Sequence, residues 1–134
     1  MVAIKSLGVF LIVNAILFFN IVCGDDLDLN YMLSLVNSAR SDNGVDPPLQ
    51  LNSLLIGTAQ RHSERMEESG ELSHDDEDGD FATRITNSGS GYENEDSSMN
   101  GWMNSPPHRA NILNPDFRDL GVGRSGDYWT QDLG

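Results

Sequence analysis

The run Trp102-Met103-Asn104-Ser105-Pro106-Pro107-His108-Arg109-Ala110-Asn111-Ile112-Leu113-Asn114-Pro115 restricts this chain more than any other stretch. It places an indole, a proline-bounded turn, an imidazole, a guanidinium and an apolar Ile-Leu step within fourteen residues. Proline is tolerated in the first turn of a helix and breaks it further in. Pro107 through Leu113 therefore reads as a short helical turn that starts near Pro107. Gly101-Trp102-Met103 reads as part of a short helix ahead of the prolines. A block this dense is not surface filler.

The 134 residues allow one domain at most. Lys5, the apolar run Leu7 to Val22 and the small residues before Asp25 read as a signal peptide over residues 1–24. The run is shorter than the span of about 20 residues that a membrane helix needs, and Asn14 and Asn20 interrupt it. The expectation is a secreted, extracellular domain over residues 25–134 that meets a membrane only through its leader. Asp25–Gly134 holds all 21 acids, seven Arg and no Lys, a formal charge near −14. That balance excludes nucleic acid and anionic membrane as electrostatic partners. Cys23, the single cysteine, lies in the leader, so packing rather than disulfides must hold the domain together.

Asp25–Asn43 reads as a helix, with Leu29, Met32, Leu35, Val36 and Ala39 on one face and Gly44 as its stop. Asn52 is a good N-cap for a second helix, Ser53 to Ser69, ended by Gly70. Its predicted apolar face is Leu54, Leu55, Thr58, Ala59, His62 and Met66. Glu71–Asp80 reads as an acidic loop, Phe81–Ile85 as a helical turn, Thr86–Gly91 as a Gly/Ser/Asn turn and Tyr92–Asn100 as polar chain. Asp119–Arg124 and Asp127–Asp132 read as two strands joined around Ser125-Gly126.

Several motifs share one likeness. They are Val36-Asn37-Ser38-Ala39-Arg40, Ala59-Gln60-Arg61-His62-Ser63, Leu72-Ser73-His74, Glu93-Asn94, the Trp102–Pro115 block, Gly121-Val122-Gly123 and Tyr128-Trp129-Thr130-Gln131-Asp132. Together they resemble the SCP-like extracellular domains of the CAP superfamily, the family of cysteine-rich secretory proteins, antigen 5 (an allergen) and pathogenesis-related proteins. The likeness is to the bacterial and fungal type and covers about Leu29 to Gly134. It implies an α+β fold, a three-layer α-β-α sandwich with a small antiparallel sheet. It also implies a cleft lined by His74, Glu93 and His108, which in some members holds a divalent metal. Two imidazoles and one carboxylate suit zinc and leave a position for water. The same trio can order a cleft by hydrogen bonds alone, so no cofactor is required. Trp102, Arg109, Asn111 and Gln131 read as structural.

The chain departs from the family pattern in three places. Ser105 stands where many eukaryotic members carry a second glutamate. Tyr128-Trp129-Thr130-Gln131 lacks the histidine those members have there, and His108 is the substitute typical of the SPxHR branch. Only seven residues separate Asn94 from Trp102, where the family runs longer, and this argues against the sterol binding assigned to that neighbourhood in some fungal members.

Each candidate also has a plain reading. His74 beside Asp75 and Asp76 can be a solvated loop histidine, and His108 a structural one bonded to a carbonyl. Glu93 has Glu95 and Asp96 as equally acidic neighbours. His62 reads as a satisfied half-buried side chain, Arg109 as an anchor for a carboxylate or helix-end carbonyls, and Trp102 and Trp129 as core aromatics. The acidic loop fails as an EF-hand, because Ile85 falls where the twelfth-position carboxylate must be. No HExxH or G-x-S-x-G signature occurs, and no residue is assigned a catalytic role. The resulting expectation is a non-enzymatic binding module for a small lipid, or for a protein or cell-wall partner. The alternative is a metal-assisted hydrolase that uses the same cleft.

Overall fold

A computed structural model describes residues 27–74 and 84–134. The elements are α1 (Leu29–Asp42), β1 (Gln50–Leu51), α2 (Ser53–Ser69), β2 (Ile85–Ser90), α3 (Glu95–Met103), α4 (Pro106–Ile112), β3 (Asp119–Ser125) and β4 (Tyr128–Leu133). The leader, residues 75–80 of the acidic loop and residues 81–83 of the expected Phe81–Ile85 turn lie outside the described residues.

Local chemistry sets the helix ends. Asp28 caps α1 by accepting from Tyr31 N at 2.9 Å. Asn52 caps α2 by accepting from Leu54 N and Leu55 N, and Gly70 ends it at φ +69, the left-handed region that glycine enters without steric penalty. Asn94 and Ser97 form a reciprocal capping box on α3. The prolines occupy the first turn of α4, where the missing N–H is not needed.

The sheet order is β1-β3-β4-β2. β4 is central and antiparallel to both β3 and β2. The two-residue β1 pairs parallel with β3, so the sheet is antiparallel apart from this short edge. Helix α2 covers one face. Gly121 and Gly123 point toward it, and a Cβ on either would be built into the α2 backbone at Leu55–Ile56 or Ala59–Gln60. Helices α1, α3 and α4 cover the other face, where Met32, Val36, Leu49, Met99, Trp102, Ile112, Leu120, Val122, Trp129 and Leu133 form the core. Each large apolar side chain buried here contributes about 1.5–3 kcal/mol.

Three expectations are corrected. Thr86–Gly91 is not a turn: Ile85–Ser90 forms β2, paired residue by residue with β4 from Ile85↔Leu133 to Ser90↔Tyr128. The ladder overrides weak strand propensity. Gly89 serves close packing there, since a Cβ would collide with the Tyr92 ring. Leu54 is 62% exposed rather than part of the apolar face of α2. The polar stretch after Tyr92 becomes helical from Glu95.

Candidate functional site

His74 and His108 reach each other from different layers. His74 is exposed and follows α2 through Gly70–Ser73. His108 sits in the middle of α4 and is half-buried. Their ring centroids are 5.5 Å apart at an interplanar angle of 43°. Burial, and secondly the charge His74 would carry, push His108 below the ordinary histidine value. Its imidazole is therefore neutral at pH 7, the form that binds metals and accepts hydrogen bonds.

Glu93 is placed differently. It is exposed on the connection from β2 to α3, immediately before the Asn94 cap. The short connection commits its neighbours elsewhere: Glu95 Oε1 accepts from Asp28 N at 2.6 Å, and Asp96 accepts from the Tyr31 hydroxyl at 3.0 Å. Among the described residues no group of three His, Cys, Asp or Glu is arranged to hold a metal ion.

Behind the histidines lies a polar network on β2. Asn111 Nδ2 donates to Asn87 Oδ1 at 2.8 Å, and Asn87 Nδ2 donates to Gln131 Oε1 at 2.9 Å and, at a long 3.5 Å, to His108 O. Asn87 and Gln131 are fully buried, and among the described residues Gln131 Nε2 ends the relay without a hydrogen-bond partner. On the opposite face, His62 Nε2 lies 2.8 Å from Ser73 O and 3.2 Å from Ser88 Oγ. A carbonyl only accepts, so Nε2 carries the hydrogen. His62 is 1% exposed, further inside than its sequence suggested, and among the described residues its Nδ1 has no hydrogen-bond partner.

Trp102 is buried, with Nε1 donating to Ser88 O at 3.4 Å and an edge contact to Tyr92. Arg109 is exposed and donates to Asn43 Oδ1 at 2.8 Å rather than to a carboxylate or to helix-end carbonyls. Those carbonyls belong to Arg40. It is buried, with Nη1 2.8 Å from both Ile112 O and Asn114 O and Nη2 3.2 Å from Pro47 O. Sequence reasoning found Arg40 as a motif letter without its role, and it passed over Asn87 and Ser88. Their only signal was two polar residues inside a stretch too rich in Gly and Ser to look like a strand.

A three-layer domain with this motif order defines the SCP-like class. Residues 33–133 match the CAP, or cysteine-rich secretory protein, family, and the chain belongs to it. It is similar to the Bacillus subtilis protein YkwD, 31% identical over 116 residues that cover 76% of this chain and 45% of that protein. It is also similar to YlbC of the same bacterium, named a membrane protein, 32% identical over 114 residues that cover 76% of this chain and 33% of YlbC. The chain thus spans less than half the length of these curated relatives. Among solved structures, an extracellular SCP-domain protein from Bacillus anthracis superposes with a TM-score of 0.71 at 27% identity, over 78% of this chain and 39% of that one. An outer surface protein of Borrelia burgdorferi shares the fold, with a TM-score of 0.69 at 20% identity over 78% of this chain and 90% of that one. The chain is a CAP domain of bacterial type. Among the described residues no helix is long and apolar enough to cross a membrane.

Proposed function

We propose that this CAP domain is a secreted, non-enzymatic binding module that works through the His74–His108 edge and takes a divalent cation such as zinc there. The observation that carries the reading is the facing of the two rings at 5.5 Å. Two imidazoles on a tetrahedral zinc, with Zn–N of about 2.0–2.1 Å, have ring centres about 5 Å apart, so the observed separation supports this reading. The neutral state of His108 supports the same reading, because a ligating imidazole must be unprotonated. Glu93 is the carboxylate that the family likeness would add, and because it forms no three-ligand group with the rings among the described residues, it would join them only if the exposed connection before α3 moved. The ion would tie the loop after α2 to α4 and stiffen the edge that meets a surface or small-lipid partner. Secretion is supported by the leader pattern of residues 1–24 and by relatives described as extracellular or outer-surface proteins.

A metal-assisted hydrolase on these residues would need Glu93 beside the rings as ligand or base. Its exposed place on the loop favours the binding role instead. The test is a calorimetric zinc titration against a His74→Ala/His108→Ala double variant. Stoichiometric binding that the variant loses supports the reading. A folded wild-type domain that takes up no zinc overturns the metal part and leaves lipid and protein partners to be assayed.

A further inference from the structure

We infer that the adjacent pair Asn87-Ser88 on β2, together with His62, acts as a crossbar that sets the separation of His74 and His108. Successive strand residues point to opposite faces of a sheet. Ser88 points toward α2, where its Oγ is 3.2 Å from His62 Nε2. Asn87 points toward α4, where it accepts from Asn111 at 2.8 Å and reaches His108 O at 3.5 Å. One half of the crossbar ends on the Ser73 carbonyl, next to His74, and the other on Asn111 and the backbone carbonyl of His108.

On the α2 side the link runs through a peptide plane. His62 Nε2 donates to Ser73 O at 2.8 Å. The Ser73 carbonyl, the His74 N–H and the His74 Cα belong to the same rigid unit, so fixing the carbonyl fixes the point from which the His74 side chain departs. His62 is itself enclosed, being 1% exposed in the middle of α2. On the α4 side, His108 and Asn111 are three apart and share a helix face, so the Asn111–Asn87 bond turns that face toward β2. His62, Ser88 and Asn87 are positioning residues that touch no ligand. The inference rests on the reading of His74 and His108 as the site, but its geometry can be measured without any ligand.

The experiment uses the full-length chain, free of metal, and records the His74–His108 ring-to-ring cross-peak by NMR, with a zinc titration run in parallel. His62→Gln places an amide nitrogen near the Nε2 position, whereas His62→Asn falls short of Ser73 O. The expected result is a cross-peak that persists in wild type and H62Q and weakens at least fivefold in H62N and in Asn111→Ala, with zinc affinity at least tenfold lower in those two. Should H62N fail to fold, N111A, at a half-buried surface position, carries the test. Cross-peaks of wild-type strength in N111A and in any folded H62N overturn the crossbar. So does loss in H62Q equal to that in H62N. A cross-peak that behaves as expected in a protein that takes no zinc leaves the crossbar standing and removes the metal reading, so the two failures are distinct.

Discussion

Arg40 Nη1 donates to the carbonyl of Ile112 at 2.8 Å, joining the last turn of α1 to the end of α4 across seventy-two positions of sequence. Arg40 is fully buried, and its guanidinium donates to the backbone carbonyls of Ile112, Asn114 and Pro47. Burial, and then the charge of Arg118, lower its pKa from the usual arginine value.

Arg40→Met should therefore destabilise the domain by about 3 kcal/mol or more, because it leaves buried carbonyls without donors. Arg40→Lys should recover only part, since a compact ammonium cannot reach the carbonyls of Pro47, Ile112 and Asn114 together as a planar fork does. Urea denaturation of the two variants checks this. A Lys variant as stable as wild type would show that charge alone, and not the fork, holds α4.

The close seat of α2 on β3 yields a second expectation. Gly123→Ala forces a methyl into backbone atoms of Ala59 and Gln60, which cannot rotate away, and should cost about 3 kcal/mol or prevent folding. Gly44→Ala meets open space at φ +71 and should cost about 1–2 kcal/mol from conformation alone. Denaturation midpoints that fall equally in the two variants would contradict the helix-on-sheet contact.

Much of this fold is legible from punctuation. Asn52 and Gly70 bound α2 as read, and the prolines at 106 and 107 start α4, because caps and proline act through local backbone chemistry. β2 was hidden because Thr86-Asn87-Ser88-Gly89 carries no alternating apolar pattern, and the strand exists through its ladder to β4. Leu54 was misassigned because periodicity places a residue on a stripe without giving the stripe's width. At the site, motif likeness brought His74 and His108 into one neighbourhood. The roles of Arg40 and Asn87 depend on partners more than twenty positions away, which no local window contains.

Asp132 gives a third expectation. It is fully buried, accepting from Thr58 Oγ1 at 2.6 Å and Thr86 Oγ1 at 2.8 Å, with Arg84 Nε 3.6 Å away. Asp132→Asn removes a buried negative charge 3.6 Å from Arg84 Nε and turns one acceptor into a donor. It should cost about 3 kcal/mol, in the range of a broken buried ion pair. Thr86→Val, which deletes one hydroxyl donor, should cost about 1 kcal/mol. Equal losses from both would mean that the carboxylate serves only as a hydrogen-bond acceptor.

His108 makes stability depend on pH in a defined direction. Its folded-state pKa lies below the ordinary 6.5, through burial first and the nearby His74 second. As pH falls through that ordinary value, the unfolded chain takes up the proton before the folded one. The contribution is thus fully present above the unfolded-state pKa and is lost as pH drops toward the folded-state value. With chelator present, the thermal midpoint of wild type should fall between about pH 7 and pH 5.5. His108→Gln, which cannot titrate, should show a shallower fall over the same interval. Parallel slopes would mean that His108 is as easily protonated in the folded domain as in the open chain, and its neutral role at the ring pair would go with it.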